Sequence, residues 1–462
     1  AGAAALGAKV ALVERHLMGG DCLNTGCVPS KALLRCAQAA ADTRRGTEYG
    51  LRLPTPVEVD FPAVMERLRR LRASLAPHDS AQRFAKLGVD VFFGDARFAN
   101  SDTVDVEGIR LRFARAVIAT GAHARIPDVP GLAAAQPFTH ETIFNLTQLP
   151  RRLAVLGGGP VGCELAQGFA RLGAQVTLFH TKSHLLDRED PDAAARVQEA
   201  FLAEGIRVRL DTQLEHVDLE PATGERTLHF RQPSGPGSIT TDAILVATGR
   251  APNVATLNLD GLGVQYDALR GVHVNDFLQT THPRIYACGD VCLRWKFTHA
   301  ADFAARLVIQ NALFALGPFG RRRLSSLVMP RATYTDPEIA HTGLDLRELE
   351  QRGLATDTYT VPFSAVDRAV TDGETDGFAR VHTRHGTDRI LGATVVGKHA
   401  GDLISELTLA IHAGIGLGRI ASTVHPYPTR AEILRKLGDA YQRTRLTPRA
   451  KSVLAALLRW RQ

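Results

Sequence analysis

Two cysteines separated by four residues, Cys22 and Cys27, are the residues of this sequence best suited to chemistry. Pro29 favours the first turn of a helix running to about residue 40, so Cys27 lies at the positive end of that helix with Lys31 nearby. Both features lower the pKa of a thiol and favour a reactive thiolate. A zinc site would need two more ligands at comparable spacing, and none follows. We therefore predict a redox-active cysteine pair and no resident metal site.

A glycine-rich loop carries the clearest nucleotide-binding signal. Gly157, Gly159 and Gly162 fit the pattern G-x-G-x-x-G between a strand-like run at 152–156 and a helix-like run at 164–172. Glycines at these positions let backbone N–H groups approach a pyrophosphate at the positive end of the helix. The loop therefore predicts a dinucleotide site.

The end of the next strand, residues 175–179, indicates which dinucleotide is bound. An acidic residue there would hold the ribose 2′-hydroxyl group of NAD. This chain has His180 and Lys182 instead, and both can carry a positive charge. They favour a 2′-phosphate, so we predict NADPH as the donor, with NADH as the alternative.

The first residues are similar to the second half of another dinucleotide-binding unit of strand, glycine loop, helix and strand. Residues 1–6 resemble the end of a helix, and a strand then ends at Glu14, where a ribose-binding acid belongs. The strand and glycine loop that should come before are not among these residues. We expect the reading frame to extend upstream by about one strand and turn; the alternative is that Ala1 is the true start.

The overall pattern predicts a layered α/β protein. Strand-like and helix-like runs alternate through the first 320 residues. After Arg321–Arg323, strand-like runs at 331–335, 358–361 and 390–396 precede a helical run at 402–413, which predicts a separate C-terminal α+β domain.

Composition excludes some functions. The net charge is +7, but Arg and Lys are scattered among acids over most of the chain, which argues against a nucleic-acid-binding patch. No secretory signal and no run of about 18 apolar residues is present, so we expect a cytoplasmic protein.

The segment 447–462 combines apolar residues at helical spacing with Arg and Lys. We expect it to pack against the protein's own body, with weak docking on an anionic membrane surface as the alternative.

Together these motifs resemble those of the pyridine nucleotide–disulfide oxidoreductases, which include glutathione reductase, dihydrolipoamide dehydrogenase and mercuric reductase. The resemblance covers essentially the whole chain, and further landmarks stand at Ala119–Gly121, Ala247–Arg250 and Ala287–Asp290. It implies two Rossmann-like dinucleotide-binding domains and a C-terminal α+β dimerisation domain. The implied division is 1–148 for the first part of the FAD-binding domain, 149–272 for the NAD(P)-binding domain, 273–322 for the second part of the FAD-binding domain, and 323–462 for the dimerisation domain.

The resemblance also implies roles for single residues. Cys22 would be the interchange thiol that meets the substrate, and Cys27 the charge-transfer thiol beside the flavin. Lys31, paired with Glu164, would lie near the flavin ring. The remaining implied cofactor contacts are Glu14 and Asp290 for FAD, and Arg250 with the second glycine loop for the nicotinamide nucleotide. Gly121 and Gly249 belong to further dinucleotide-binding landmarks.

The acceptor side departs from the family pattern. Thiol–disulfide members carry a His-Pro-Thr-x-x-Glu segment, in which the histidine is the acid–base group. Aligning this chain on Pro-Thr-x-x-Glu, which ends at Glu432, places Tyr427 at the base position with His425 two residues earlier. Mercuric reductase also has a tyrosine there, and the run 164–173 resembles it too. However, mercuric reductase hands over the metal through a C-terminal cysteine pair, and no cysteine follows Cys292 here.

We therefore predict a homodimeric, FAD- and NAD(P)H-dependent reductase in the mercuric-reductase-like branch, with a small-molecule or metal-ion acceptor. The first alternative is a low-molecular-weight disulfide reductase, or a dihydrolipoamide-dehydrogenase-like enzyme, that uses His425. The second is a flavoprotein relic that binds nucleotides without turnover. The intact cysteine pair argues against the relic, whereas the glycine loop not found before Glu14 argues for it.

Overall fold

The computed structural model describes residues 1–52 and 56–462, and these form two compact units. The first unit comprises residues 1–181 and 205–327, and the second comprises residues 182–204 and 328–462. The division after residue 327 lies near the change of pattern at about 320 in the sequence. The second unit also takes in residues 182–204, which the resemblance assigned to the NAD(P)-binding domain.

Helices occur in both units, and among the described ones none is long and apolar enough to cross a bilayer. The α-helices are α1 (Gly2–Ala5), α2 (Gly20–Asn24), α3 (Cys27–Arg44), α4 (Phe61–Leu75), α5 (Ala81–Lys86), α6 (Pro160–Arg171), α7 (Pro191–Ala203), α8 (Thr298–Ile309), α9 (Leu346–Gln351), α10 (Asp367–Thr371), α11 (Ala400–Ala413), α12 (Leu417–Ser422), α13 (Glu432–Arg445) and α14 (Pro448–Arg461).

Strands make up several small sheets. They are β1 (Val10–Glu14), β2 (Val89–Phe93), β3 (Ala96–Asn100), β4 (Thr103–Val106), β5 (Ile109–Arg112), β6 (Ala116–Ile118), β7 (Ala122–Ala124), β8 (Arg152–Leu156), β9 (Gln175–Phe179), β10 (Arg207–Arg209), β11 (Gln213–Leu219), β12 (Arg226–Gln232), β13 (Gly235–Thr241), β14 (Ala243–Val246), β15 (Arg250–Pro252), β16 (Tyr266–Asp267), β17 (Gly271–Val272), β18 (Ile285–Ala287), β19 (Arg331–Thr333), β20 (Glu338–Gly343), β21 (Thr356–Pro362), β22 (Phe378–Arg384) and β23 (Ile390–Gly397).

A four-stranded parallel sheet carries the second glycine loop. Its strand order is β10-β9-β8-β14, and all three pairings are parallel. The chain moves outwards from β8 to β10 and then crosses to the other side of β8 to form β14. Nucleotides bind at the carboxyl ends of strands where the order reverses in this way, and the loop at 157–162 directly follows β8. The predicted α/β fold is confirmed here.

An antiparallel meander, β11-β12-β13, packs against that parallel sheet. Leu156 and Phe179 of the sheet share a buried core with Leu228 and Phe230 of the meander. The rings of Phe179 and Phe230 meet edge to face, with centroids 5.2 Å apart. The meander thereby covers one face of the sheet and supports the strands that end at the nucleotide loop.

Helix α3, which begins at Cys27, is held in the first unit by packing on two other helices, α4 and α6. Leu33 of α3, Leu68 of α4 and Phe169 of α6 are almost completely buried. Because α6 also follows the second glycine loop, this packing joins the helix that carries the redox cysteine to the nucleotide-binding sheet.

The second unit is built on an antiparallel sheet of order β19-β20-β23-β22-β21. Helices α11 and α13 share its hydrophobic core. Two arginines of this sheet hold the segment 182–204: Arg331 Nε lies 2.8 Å from Glu189 Oε1, and Arg380 pairs with Asp192. These ion pairs explain why residues 182–204 group with the second unit.

The C-terminal helix α14 forms at the predicted place, but the expected packing against the protein's own body is wrong. None of its residues is buried, and Trp460 is 83% exposed. The physical reason lies in its residue order. Arg449 and Arg461 stand four residues from Val453 and Leu457, so charged and apolar side chains share a helix face.

Candidate active site

Two short helices position the cysteine pair. Cys22 lies in α2, and Cys27 is the first residue of α3. Between them Gly26 passes so close to α2 that a Cβ atom would come within 2.9 Å of the Asp21 carbonyl oxygen. Glycine is needed for this close approach, which lets α3 begin at Cys27. The Cys27 thiol therefore lies at a helix N-terminus, where unpaired N–H groups favour negative charge.

The two thiols differ in acidity in the dithiol form. A hydrogen bond from the Cys22 thiol lowers the pKa of Cys27 to about 6. The Thr298 hydroxyl, 3.4 Å from the Cys27 sulfur, and the charge of Lys31 lower that pKa as well. The hydrogen bond to Cys27 raises the pKa of Cys22, and burial raises it further. At neutral pH Cys27 is therefore a thiolate and Cys22 a thiol.

An ion pair joins the cysteine helix to the helix after the second glycine loop. Lys31 Nζ of α3 lies 2.8 Å from Glu164 Oε2 of α6. The Glu164 side chain is 7% exposed, and a carboxylate this buried needs a nearby positive charge. Lys31 follows Cys27 by one helical turn, so this pair also fixes a cation beside the thiolate.

A second charge network surrounds Asp21, the neighbour of Cys22. Burial opposes its ionisation, but His140, whose Nε2 lies 3.3 Å from Asp21 Oδ1, and the charge of Arg250 outweigh burial, so the pKa of Asp21 lies well below its usual value. The Arg250 guanidinium also donates to the Ala122 carbonyl oxygen at 3.0 Å and lies 3.3 Å from Asp290 Oδ2. Asp21, His140 and Thr298 are site residues that the sequence analysis missed. Of these three, only Asp21 could have been predicted from the sequence, because it directly precedes Cys22.

The second glycine loop has the geometry expected of a pyrophosphate cradle. Gly157 has φ +116°, and a Cβ atom there would come within 2.4 Å of the Ala247 carbonyl oxygen. A Cβ atom on Gly162 would come within 1.8 Å of the Gly157 carbonyl oxygen, whereas the space beside Gly159 is open. His180 turns back to this loop, and its Nδ1 accepts a hydrogen bond from the Gly158 N–H at 3.1 Å.

A shallow pocket lies beyond the end of β9. It is lined by Thr181, Asp211, Thr212 and Gln213. Asp211 follows β10 rather than β9, so it is not the acid that the sequence pattern predicts at the end of β9. The ends of neighbouring parallel strands lie at the same edge of a sheet, so an acid after β10 could have been predicted to lie near the end of β9. Lys182 is exposed.

The C-terminal candidates lie in the second unit, and each has its own carboxylate or cationic neighbour. His425 Nε2 lies 3.1 Å from Glu406 Oε1, and its side chain is 6% exposed. The Tyr427 hydroxyl donates to Asp367 Oδ2 at 2.8 Å, and this hydrogen bond raises the pKa of Tyr427. Glu432 pairs with Arg435 at 2.8 Å, while its buried Oε2 has no hydrogen-bond partner among the described residues.

The residues present fit the two expected cofactors. Glu14 stands at the carboxyl end of β1, and Asp290, which is 15% exposed, follows β18. Gly121 has φ +69° and open space beside it, as does Gly249 at φ +130°. Carboxylates at strand ends suit ribose and ribityl hydroxyls, and open glycines admit a phosphate.

Comparison with known proteins settles the family. A family model described as "Pyridine nucleotide-disulphide oxidoreductase" matches residues 1–305, and the model of its dimerisation domain matches residues 329–437. The chain belongs to the pyridine nucleotide-disulphide oxidoreductases. The predictions of this family, of an enzyme, and of FAD with NAD(P)H as the electron donor are confirmed.

Relatives of this oxidoreductase are named after different substrates. A mercuric reductase of Streptomyces lividans is 37% identical over 445 residues, which cover 94% of this chain and 91% of that protein. A dihydrolipoyl dehydrogenase of Chlamydia muridarum is 32% identical over 442 residues, covering 93% and 91%. Identity at this level supports the family more strongly than any one acceptor.

A solved structure shares the fold. The HOCl-induced flavoprotein disulfide reductase RclA from Escherichia coli superposes with a TM-score of 0.82 at 26% identity, covering 94% of this chain and 95% of that chain. Its Cu(II) complex gives a TM-score of 0.82 at 25% identity, with 94% of each chain covered.

Proposed function

We propose that this oxidoreductase uses the Cys22–Cys27 pair to deliver electrons from NADPH to a soft, thiol-reactive metal ion such as the mercuric ion. The observation that carries this proposal is the hydrogen bond from Tyr427 to Asp367, which keeps the phenol protonated. Reduction of a disulfide needs a group that shuttles a proton near the working pH. A soft metal ion needs less proton transfer, because it binds thiolates directly.

The cysteine pair suits such an ion. Cys27, with a pKa of about 6, offers a thiolate at neutral pH, and Lys31 with Glu164 holds a cation beside it. Cys22 offers a second sulfur five residues away. Bound FAD would carry electrons between the nicotinamide and the cysteine pair. Reduction of a mercuric ion to the metal takes two electrons, the number that one NADPH supplies as hydride.

Two of the similar proteins are named or described with a metal ion, which supports this choice of acceptor. The S. lividans protein is a mercuric reductase, and the E. coli disulfide reductase was solved as a Cu(II) complex. We carry the soft-metal chemistry over to this chain as a proposal.

We further propose that the enzyme is a homodimer, since residues 329–437 match the family's dimerisation domain. Most homo-oligomers of this kind have twofold symmetry. In such a dimer the segment 425–432 would complete the active site of the partner subunit. An active monomer that survives dilution in analytical ultracentrifugation would contradict this part of the proposal.

NADPH is the proposed donor, and two groups near the end of β9 bear on the choice between NADPH and NADH. The His180 imidazole bonds to Gly158 of its own loop, which leaves the exposed Lys182 as the clearest cation for a 2′-phosphate. Asp211 in the neighbouring pocket offers a carboxylate that would suit the 2′-hydroxyl group of NADH. We therefore expect a moderate preference for NADPH.

A disulfide acceptor is the second candidate, and one observation favours it. His425 and Glu406, 3.1 Å apart, form a pair in which the carboxylate orients an imidazole. A histidine held in this way is a competent acid–base group. This candidate requires the imidazole, with only 6% of the side chain exposed, to reach the interchange thiol.

Anaerobic titration of the FAD-loaded enzyme distinguishes the candidates. We expect about two equivalents of NADPH to be consumed, one for FAD and one for the disulfide. Mercuric ion should then restore the oxidised flavin spectrum faster than glutathione disulfide does. Complete bleaching of the flavin by a single equivalent would contradict a redox-active cysteine pair, and faster reoxidation by glutathione disulfide would favour the second candidate.

A further inference from the structure

We infer that the outer face of the meander β11–β13 holds a binding site for a divalent transition-metal ion of the zinc type, formed by His216, Asp218 and His229. The three side chains are placed together by strand pairing. His216 and His229 are direct cross-strand partners, and Asp218 is two residues beyond His216. Cross-strand partners and residues two apart share one face of a sheet.

The opposite face of the same strands is buried in the core. Val217 is 4% exposed, Leu228 0% and Phe230 4%. Since side chains alternate along a strand, this burial fixes the outward direction of His216, Asp218 and His229. The register of the meander, and not a chance surface rotamer, therefore brings the three groups together.

The distances suit a shared ion. His229 Nε2 lies 3.0 Å from Asp218 Oδ2, and His216 Nε2 lies 3.8 Å from the same oxygen. The three ligating atoms lie within 4.8 Å of one another. Two ligands of a tetrahedral zinc ion, at about 2.0–2.2 Å from the metal, are about 3.4 Å apart. A small tilt of the two rings, which are now stacked with centroids 4.1 Å apart, would aim both nitrogens at one point.

The donor set decides the class of ion. Two imidazole nitrogens and one carboxylate oxygen suit Zn²⁺ and Cu²⁺, whereas Ca²⁺ and Mg²⁺ prefer oxygen ligands alone. The nearby cation Arg231 is paired with Glu215 at 2.7 Å, so its charge is compensated. Three protein ligands leave a fourth position for water. The ion would tie β11 to β12 and so stabilise the meander that covers the nucleotide-binding sheet.

Calorimetric titration of the full chain with Zn²⁺ tests the site, using FAD-loaded enzyme with the Cys22–Cys27 disulfide formed. Wild-type enzyme should bind one equivalent at this site and melt at a higher temperature with zinc than without it. His216→Ala and His229→Ala should each weaken that binding at least about tenfold, since even outer-shell changes cost about 10–100-fold. Asp218→Asn, nearly the same size, should also weaken it and guards against misfolding of the histidine variants.

The matched control is His273→Ala, which removes an exposed histidine elsewhere in the first unit. This variant should bind zinc as the wild type does, and NADPH oxidation should stay unchanged in all four variants. Equal zinc affinity and stoichiometry in the wild type and all four variants would overturn the proposal. So would the absence of zinc binding by the wild type.

Discussion

The surroundings of Cys27 lower the pKa of its thiol, whereas those of Tyr427 in the segment 425–432 raise the pKa of its hydroxyl group. Around Cys27 the hydrogen bonds of Cys22 and Thr298 and the charge of Lys31 all favour loss of the proton. In the C-terminal segment, the carboxylate of Asp367 favours retention of the proton on Tyr427. The Cys27 sulfur is therefore ready to bind a metal ion or to transfer electrons as a thiolate. The Tyr427 hydroxyl keeps its proton and is poorly suited to act as a base. This difference favours an acceptor that binds thiolates over one that must be protonated.

The largest effect is expected from removal of the interchange thiol. Cys22→Ser should slow acceptor reduction about 1,000-fold or more, because the group that meets the substrate is lost. Anaerobic reduction of bound FAD by NADPH should remain largely intact, as stopped-flow absorbance can show. Cys36→Ser, on the helix α3 that begins at Cys27, is the matched control and should have no effect on either rate. Equal loss of both half-reactions in Cys22→Ser would contradict the assigned role.

A histidine in place of Tyr427 should sharpen the comparison from the acceptor side. Tyr427→His should speed reduction of glutathione disulfide by about 100-fold, the usual contribution of a positioned acid–base group. The carboxylate of Glu432 is near enough to raise the pKa of Tyr427, and its charge would favour a protonated imidazole at this position. Tyr427→Phe serves as the control and should leave the slow wild-type rate unchanged. If Tyr427→His also leaves it unchanged, the proton supply does not limit disulfide reduction.

Loss of the groups that stabilise the Cys27 thiolate should shift its titration. Thr298 and Lys31 lower the pKa of Cys27, so Thr298→Val and Lys31→Met should each raise it from about 6 towards the value of about 8.5 for a free cysteine. The thiolate fraction then falls at any pH between these values. Ultraviolet thiolate absorbance of the reduced enzyme, referenced to Cys27→Ser, measures the midpoint. An unchanged midpoint in both variants would show that neither group stabilises the thiolate.

The smallest effect concerns the donor. The double variant His180→Ala, Lys182→Ala should lose about fivefold in kcat/KM for NADPH, the size of one partly exposed charge contact, while NADH is little affected. Asp211→Asn should do the reverse and weaken the use of NADH. A wild-type enzyme that prefers NADH, or a double variant that keeps its preference for NADPH, would refute the proposed choice of donor.

The fold was predictable where local pattern and packing agree. The strand at 152–156 and the glycine loop at 157–162 were found because buried parallel strands and tight turns leave strong signals in residue type. The C-terminal helix shows the limit. Its residue spacing predicts a helix. Whether the helix packs also depends on how Arg449 and Arg461 are placed among the apolar side chains and on the surface that the helix would face.

The candidate site was predictable only in part for the same reason. Cys22, Cys27 and Lys31 lie within ten residues of one another, so one segment of sequence describes them. Thr298 and Arg250 reach this region from distant strands and helices, and Asp367 reaches Tyr427 across 60 residues. Such contacts change acidity without leaving a motif beside the residue they act on.

The most direct test of the central claim compares His425→Ala with Tyr427→Phe, each measured with mercuric ion and with glutathione disulfide. The proposed function predicts that the wild type reduces mercuric ion faster than glutathione disulfide, and that His425→Ala alters neither rate appreciably. Fast reduction of glutathione disulfide by the wild type, abolished by His425→Ala alone, would contradict it. The enzyme would then be a conventional disulfide reductase with His425 as its acid–base group.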